Sequence, residues 1–94
     1  MKTYAKGRRL EYKVKKMLED DGWFVVRCAG SKPVDLIAVG KGQILIVECK
    51  AKKVTRQDRK KLDEILKRID GMPIPVTGRI YWKTGWGKIG VEVR

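Results

Sequence analysis

Histidine and asparagine are both absent from this 94-residue sequence. Without histidine the chain cannot contain a serine–histidine triad, a histidine-based nuclease centre or a Cys2His2 finger. Any catalysis must therefore use carboxylates, lysine, hydroxyl groups or a metal ion. The lack of asparagine, a thermolabile residue, alongside many charged residues predicts a thermophilic source, either cellular or viral.

Cysteine and long apolar runs are also scarce. The two cysteines, Cys28 and Cys49, do not have the spacing of a zinc site, and we expect both to be reduced. The sequence contains no run of about 18 apolar residues, so it predicts no membrane span. The basic N-terminus lacks the apolar region of a signal peptide. We therefore expect a cytoplasmic, nucleoid-associated protein with no membrane partner.

Positive charge is abundant: 23 lysines and arginines against 11 acidic residues give a net charge of +12. Such an excess indicates a polyanionic partner, most often nucleic acid. Hydrophobic residues make up 43% of the chain, enough for a packed core. At this length the sequence predicts a single domain over residues 1–94.

Two aliphatic runs, Pro33–Val39 and Ile44–Lys50, each contain one carboxylate. A two-residue turn at Lys41-Gly42 would join them as a β-hairpin and place Asp35 directly opposite Glu48. Like charges facing each other in an apolar sheet are unfavourable unless a cation lies between them or one is protonated. The simplest resolution is a metal site.

The remaining periodicities predict an αβββαββ order. Apolar spacing indicates an amphipathic helix from Gly7 to Asp21, and β-propensity indicates a strand from Trp23 to Ala29. Thr55 and Asp58 form a capping-box signal for a second helix. The elements predicted after the hairpin are that helix, Thr55–Asp70, and two strands, near Val76–Lys83 and Lys88–Val93.

Charges around these elements allow more than one interpretation. Glu11 lies at the edge of the buried helix stripe and could serve a site or merely complement the helix N-terminus. Arg8 and Arg9 at that same end favour a docked anion. The basic segment after the hairpin, residues 50–61, could be a solvated face, but its position beside the carboxylate pair favours phosphate contact.

The motif Pro33-Val34-Asp35, twelve intervening residues and Glu48-Cys49-Lys50 resembles that of the PD-(D/E)XK nuclease superfamily. The flanking residues Lys6-Gly7, Glu11 and Val25–Leu36 are similar to those of archaeal Holliday junction resolvases. The resemblance implies an α/β, restriction-endonuclease-like fold, with a central mixed five-stranded sheet flanked by two helices.

The residue types and the family resemblance indicate the same central site residues. Asp35 and Glu48 are expected to bind Mg2+, with Mn2+ able to substitute, and no organic cofactor. The resemblance adds the backbone carbonyl of Cys49 as a ligand. Glu48 and Lys50, two apart on a strand, project from one face. Lys50 is therefore expected to act on the attacking water or the scissile phosphate.

The resemblance also assigns roles around this centre. It implies that Glu11 completes the metal shell and that Ser31 grips phosphate or water, so the expected catalytic set is Glu11, Ser31, Asp35, Glu48 and Lys50. Where these resolvases carry an arginine after the helix glutamate, this chain has Tyr12. The expected DNA contacts are Lys6, Arg8, Arg9, Arg27, Lys32, Lys52, Lys53 and Arg56.

Together these features predict a metal-dependent endonuclease that resolves four-way DNA junctions by paired nicks. One chain carries one such motif, so a homodimer is implied. Two alternatives stay open: a related nuclease of repair, replication or restriction acting on flaps, duplex or single strands, and a basic DNA-binding protein without catalysis.

Overall fold

The computed structural model describes residues 3–28, 30, 32–84 and 87–94, and only the backbone for residues 3–7. The described residues form two helices and five strands in the order predicted from the sequence. No helix among them is long and apolar enough to cross a membrane. The elements are α1 (Thr3–Asp20), β1 (Phe24–Arg27), β2 (Leu36–Gly40), β3 (Gln43–Lys50), α2 (Arg56–Arg68), β4 (Val76–Lys83) and β5 (Ile89–Val93).

The predicted β-hairpin is confirmed. β2 and β3 are antiparallel, with Gly40 paired to Gln43 and Leu36 paired to Val47. The two turn residues, Lys41 and Gly42, have φ angles of 52° and 74°. Positive φ at both central positions is the type I′ geometry that matches the twist of paired strands. The turn therefore fixes the register of every residue along the hairpin.

The five strands form one mixed sheet in the order β1-β2-β3-β4-β5. Neighbouring strands are antiparallel except β3 and β4, which run parallel. A parallel pair needs a long crossover, and α2 with its flanking loops supplies it. The predicted mixed sheet is thus confirmed, with β3 at its centre.

Side chains of β3 alternate between two hydrophobic clusters on opposite faces of the sheet. Leu45 and Val47 belong to the cluster that includes Val14 and Leu18 of α1. Ile46 belongs to the second cluster, which includes Leu62 of α2. Each helix therefore covers its own face, and residues of even number on β3 face α2.

The cover on the α2 face is incomplete. α2 packs against β3 and β4, whereas β1 and β2 have their main helical contacts with α1. On the side of β1 and β2 away from α1, Phe24 is 71% exposed and faces Val39 across the strands, with Val26 beside them. We call Phe24, Val26 and Val39 the bare apolar face.

Element boundaries differ from the sequence prediction at Trp23, at Asp35 and at the start of α1. Trp23 is not in the strand, because its N–H donates to the Leu18 carbonyl and its ring is buried. Asp35 lies in a bend just before β2, with its N–H donating to Val47 and its carbonyl accepting from Cys28. The bend keeps Asp35 at the end of the hairpin rather than within the ladder. α1 also begins earlier than predicted, at Thr3.

Candidate active site

Asp35 and Glu48 meet at the open end of the hairpin. The hairpin ladder ends at Leu36 and Val47, and Asp35 and Glu48 are the next residues on the two chain segments. Both are buried, with 6% and 3% of their surfaces exposed. The Cys49 N–H donates to Asp35 Oδ2 over 2.7 Å, which anchors that carboxylate to β3. Two acidic side chains therefore occupy one small, largely dehydrated space.

The carboxylate of Glu48 lies in an electrostatically unfavourable environment. Burial and the neighbouring Asp35 raise the pKa of Glu48 to about 7, although Lys61 and Lys50 oppose that shift. Its Oε1 atom is buried and has no hydrogen-bond partner within the described residues. A buried carboxylate oxygen without a partner is costly, unless a cation or proton completes it.

The donors at this site suit a hard divalent cation. Two carboxylates, one with an unused oxygen, are the ligand type that Mg2+ and Mn2+ prefer. The Cys49 thiol is a poor competitor, because burial and the nearby carboxylates raise its pKa and keep it protonated. No cluster of three or more acidic, histidine or cysteine side chains suited to a metal occurs in the described part of the chain. The carboxylates that the structure brings together at this point are Asp35 and Glu48.

Lys50 lies beside the pair and is held by α2. Its Nζ is 3.0 Å from Asp58 Oδ1. Burial lowers the pKa of Lys50, but the hydrogen bond and charge of Asp58, with Glu48 and Asp35, outweigh it and leave the pKa raised. Lys50 is therefore a stable ammonium group, able to stabilise negative charge but unsuited to act as a general base at neutral pH.

Two residues at the site were not assigned to it from the sequence. Lys61 of α2 places its Nζ 3.7 Å from Glu48 Oε2. Asp58 was predicted only as a capping residue, and it does form the capping box with Thr55. Asp58 and Lys61 are three residues apart and so share one helix face, which was the available signal. The local sequence does not determine which strand this helix face contacts, because that depends on tertiary packing.

Glu11 approaches the same end of the sheet from α1. It is buried, and its Oε1 accepts a hydrogen bond from Arg27 Nε over 3.2 Å. α1 lies on the face opposite α2, whereas Glu48 and Lys50 pair with α2. The three carboxylates nevertheless all raise the pKa of the Cys28 thiol after burial, the largest cause, so they share one electrostatic neighbourhood. The assignment of Glu11 to the metal shell stays a prediction.

Arg27 is held on two sides. Besides Glu11, its guanidinium carbon lies 5.0 Å from the centroid of the Tyr12 ring, within cation–π range. The Tyr12 ring thus supports the Arg27 guanidinium. The side chain of Arg27 is half-buried rather than freely extended into solvent.

The structure also describes six other residues that are expected to contact DNA. Their side chains are exposed, and their contact with DNA stays a prediction; they are Arg8, Arg9, Lys32, Lys52, Lys53 and Arg56. Ser31 and the side chain of Lys6 lie outside the described residues, so their predicted roles are not addressed by the structure.

Similarity to known proteins agrees with the geometry. Residues 2–74 match the family model described as archaeal Holliday junction resolvase (Hjc). The chain is 51% identical over 53 residues to a crossover junction endodeoxyribonuclease Hjc of Methanocaldococcus jannaschii. That match covers 56% of this chain and 40% of the relative, so less than half of the relative's length is represented.

The fold also matches a solved structure, Hjc of Archaeoglobus fulgidus, described as a Holliday junction resolvase from an archaeal hyperthermophile. The TM-score is 0.68 at 16% sequence identity, over 92% of this chain and 70% of that one. At this identity the likeness concerns the fold, and it agrees with the predicted architecture. The family match spans more than three quarters of the sequence and includes Asp35, Glu48 and Lys50. The chain belongs to the archaeal Holliday junction resolvase (Hjc) family.

Proposed function

We propose that this protein is a metal-dependent endodeoxyribonuclease that resolves four-way DNA junctions by hydrolysing phosphodiester bonds. The observation that carries the proposal is the buried Asp35–Glu48 pair beside Lys50, in a chain of the Hjc family. The orphaned Glu48 oxygen and the raised pKa of that residue support a cation there. The expected cation is Mg2+, with Mn2+ as a substitute.

The residues divide the chemistry between them. Asp35 and Glu48 would hold the cation, which on binding would polarise the scissile phosphate and its attacking water. Lys50 keeps its proton and presents fixed positive charge toward the phosphoryl oxygens as negative charge accumulates. The Asp35 carboxylate is oriented beforehand by the Cys49 N–H, so little reorganisation is needed when substrate arrives.

Four-way junctions are the proposed substrate because they are the substrate named by the family. The net charge of +12 suits binding through phosphates, which reads the shape of DNA more than its sequence. Affinity is accordingly expected to fall steeply with salt.

A homodimer is part of the proposal. Resolving a branch takes two symmetric cuts, whereas one chain carries a single Asp35, Glu48 and Lys50 set. The bare apolar face is a reasonable surface for a second copy, since an exposed contiguous apolar patch commonly marks an interface.

Cleavage of a synthetic four-way junction, compared with linear duplex and flap DNA, tests the proposal. We expect paired nicks in the junction with Mg2+, none in EDTA, and none with Glu48→Ala. Equal cutting of all three substrates would instead indicate the broader nuclease activity left open above. Junction binding without cleavage in either Mg2+ or Mn2+ would indicate a non-catalytic DNA-binding protein.

A further inference from the structure

Asp58 uses its two carboxylate oxygens for different purposes. Oδ2 accepts the Thr55 N–H over 2.8 Å, which is one half of the capping box at the start of α2. Oδ1 lies 3.0 Å from the Lys50 ammonium on β3. A single side chain therefore links the first turn of α2 to the lysine at the site.

The contact is part of a crossed arrangement of four charges. On β3, Glu48 and Lys50 lie two residues apart and face α2; on α2, Asp58 and Lys61 lie three residues apart and face β3. Each strand charge meets a helix charge of opposite sign, at 3.7 Å for Glu48 with Lys61 and 3.0 Å for Lys50 with Asp58. The same helix that covers the sheet thus supplies partners for two site residues.

We propose that Asp58 is the positioning residue for Lys50, fixing its ammonium group beside the carboxylate pair in the orientation used for phosphodiester cleavage. A free lysine side chain has several rotatable bonds and loses rotamer entropy when it is fixed. Asp58 is itself fixed by the capping box, and its side chain is only 17% exposed. Lys50 is therefore ordered before substrate binds.

This inference rests on the proposed function, because it assigns Asp58 a part in the same reaction. It goes beyond a stabilising role, which the capping box alone would give. The two roles can be separated chemically, because the Lys50 ammonium lies against the Asp58 carboxylate, 3.0 Å from Oδ1, whereas the Thr55 hydroxyl caps the helix. That hydroxyl accepts the Asp58 N–H over 3.2 Å and also interacts with the Asp58 carboxylate.

Two variants separate the positioning of Lys50 from the capping of α2. Asp58→Asn retains an oxygen that can accept the Thr55 N–H but removes the charge that holds Lys50. Thr55→Ala removes the hydroxyl half of the cap and retains the contacts of the Asp58 carboxylate with the Thr55 N–H and with Lys50. Both are compared with wild type in single-turnover cleavage of a four-way junction in Mg2+ and in junction binding in EDTA.

We expect Asp58→Asn to slow cleavage about ten- to a hundredfold, with the Kd for junction unchanged within about twofold. Thr55→Ala should lower the unfolding midpoint and leave the cleavage rate near wild type. A rate for Asp58→Asn equal to wild type, or an equal loss in Thr55→Ala, would overturn the inference. A wild-type protein that cuts no junction would overturn the proposed function together with it.

A measurement without substrate or metal tests the contact directly. Urea unfolding midpoints are compared for wild type, Asp58→Asn, Lys50→Met and the double variant. If Asp58 holds Lys50, the effect of Asp58→Asn shrinks once Lys50 is methionine, because the charge has lost its partner. Strictly additive shifts would show that the two side chains act independently and would overturn the inference.

Discussion

Glu48 shows at the level of one residue how a site can oppose the stability of its fold. The ordinary pKa of a glutamate here is 4.5, and burial with Asp35 raises it to about 7 in the folded protein. Between those pH values the folded chain keeps a proton that the unfolded chain has lost. Raising the pH therefore favours unfolding, and the penalty is complete above pH 7.

The metal-free protein should consequently lose stability between about pH 5 and pH 8, by on the order of 3 kcal/mol from Glu48. Glu48→Gln removes the titration, so we expect it to be more stable than wild type at pH 8 and similar at pH 5. Urea unfolding in EDTA measures this difference. Glu64→Gln, an exposed acid of α2, is the control and should follow wild type. Parallel curves for Glu48→Gln and wild type would contradict the prediction.

Tyr12 makes a second prediction at the residue scale. If Arg27 contacts the DNA backbone, then the ring beneath its guanidinium should aid binding by limiting its motion. We expect Tyr12→Ala to weaken junction binding about two- to fivefold, from a contact worth about 0.5–1 kcal/mol, and Tyr12→Phe to bind like wild type. Fluorescence anisotropy in EDTA at fixed salt measures both. Equal losses for the two variants would indicate that the hydroxyl, not the ring face, matters.

Among the elements, those set by local signals were predictable from the sequence. Lys41-Gly42 fixed the hairpin turn, and Thr55 with Asp58 marked the start of α2. Counting along the hairpin then brought Asp35 and Glu48 to its open end, where the structure has them as neighbours. Each depends on residues close in sequence or on a two-residue loop, so backbone geometry alone determines the result.

The partners supplied by α2 were not predictable in this way. Lys61 contacts Glu48, and Asp58 contacts Lys50, because the first turns of α2 lie over the end of β3. The parallel pairing of β3 with β4 and the packing of Leu62 determine this position of α2. Neither follows from the periodicity of a single segment. The incomplete cover over β1 and β2 likewise depends on where the two helices pack.

Gly78 of β4 shows how closely α2 approaches the sheet. A Cβ added there would lie 2.8 Å from Leu66 Cδ1 and 2.9 Å from Leu62 Cδ2. Gly78→Ala is expected to destabilise the protein by about 1–3 kcal/mol through overpacking. Thermal or urea unfolding measures the loss. Gly78→Ala/Leu66→Ala relieves the contact with Leu66 and leaves the one with Leu62, so the combined loss should be smaller than the sum of the two single losses. An additive result would argue against close contact.

For the whole molecule, the unequal cover of the two sheet faces has a consequence for assembly. The bare apolar face leaves Phe24 71% exposed, while the α1 face is packed. If a second copy covers it, Phe24→Asp should convert dimer to monomer, because a charge would enter the interface. Light scattering after size exclusion measures the mass. Val93→Asp, at an exposed position of β5, is the control and should leave the dimer intact. A wild-type monomer at micromolar concentration would contradict the prediction.

The Asp58 carboxylate both caps α2 and holds Lys50, so we expect the cleavage rate to depend on the thermal stability of the first turn of α2. The first turn of a helix is among the first parts of a protein to open on warming, well before a central sheet separates. Here that opening would release Lys50 at the same moment, since one side chain closes the turn and holds the lysine. We therefore expect the cleavage rate to fall at a temperature set by the melting of one helical turn, while the strands around Asp35 and Glu48 are still folded.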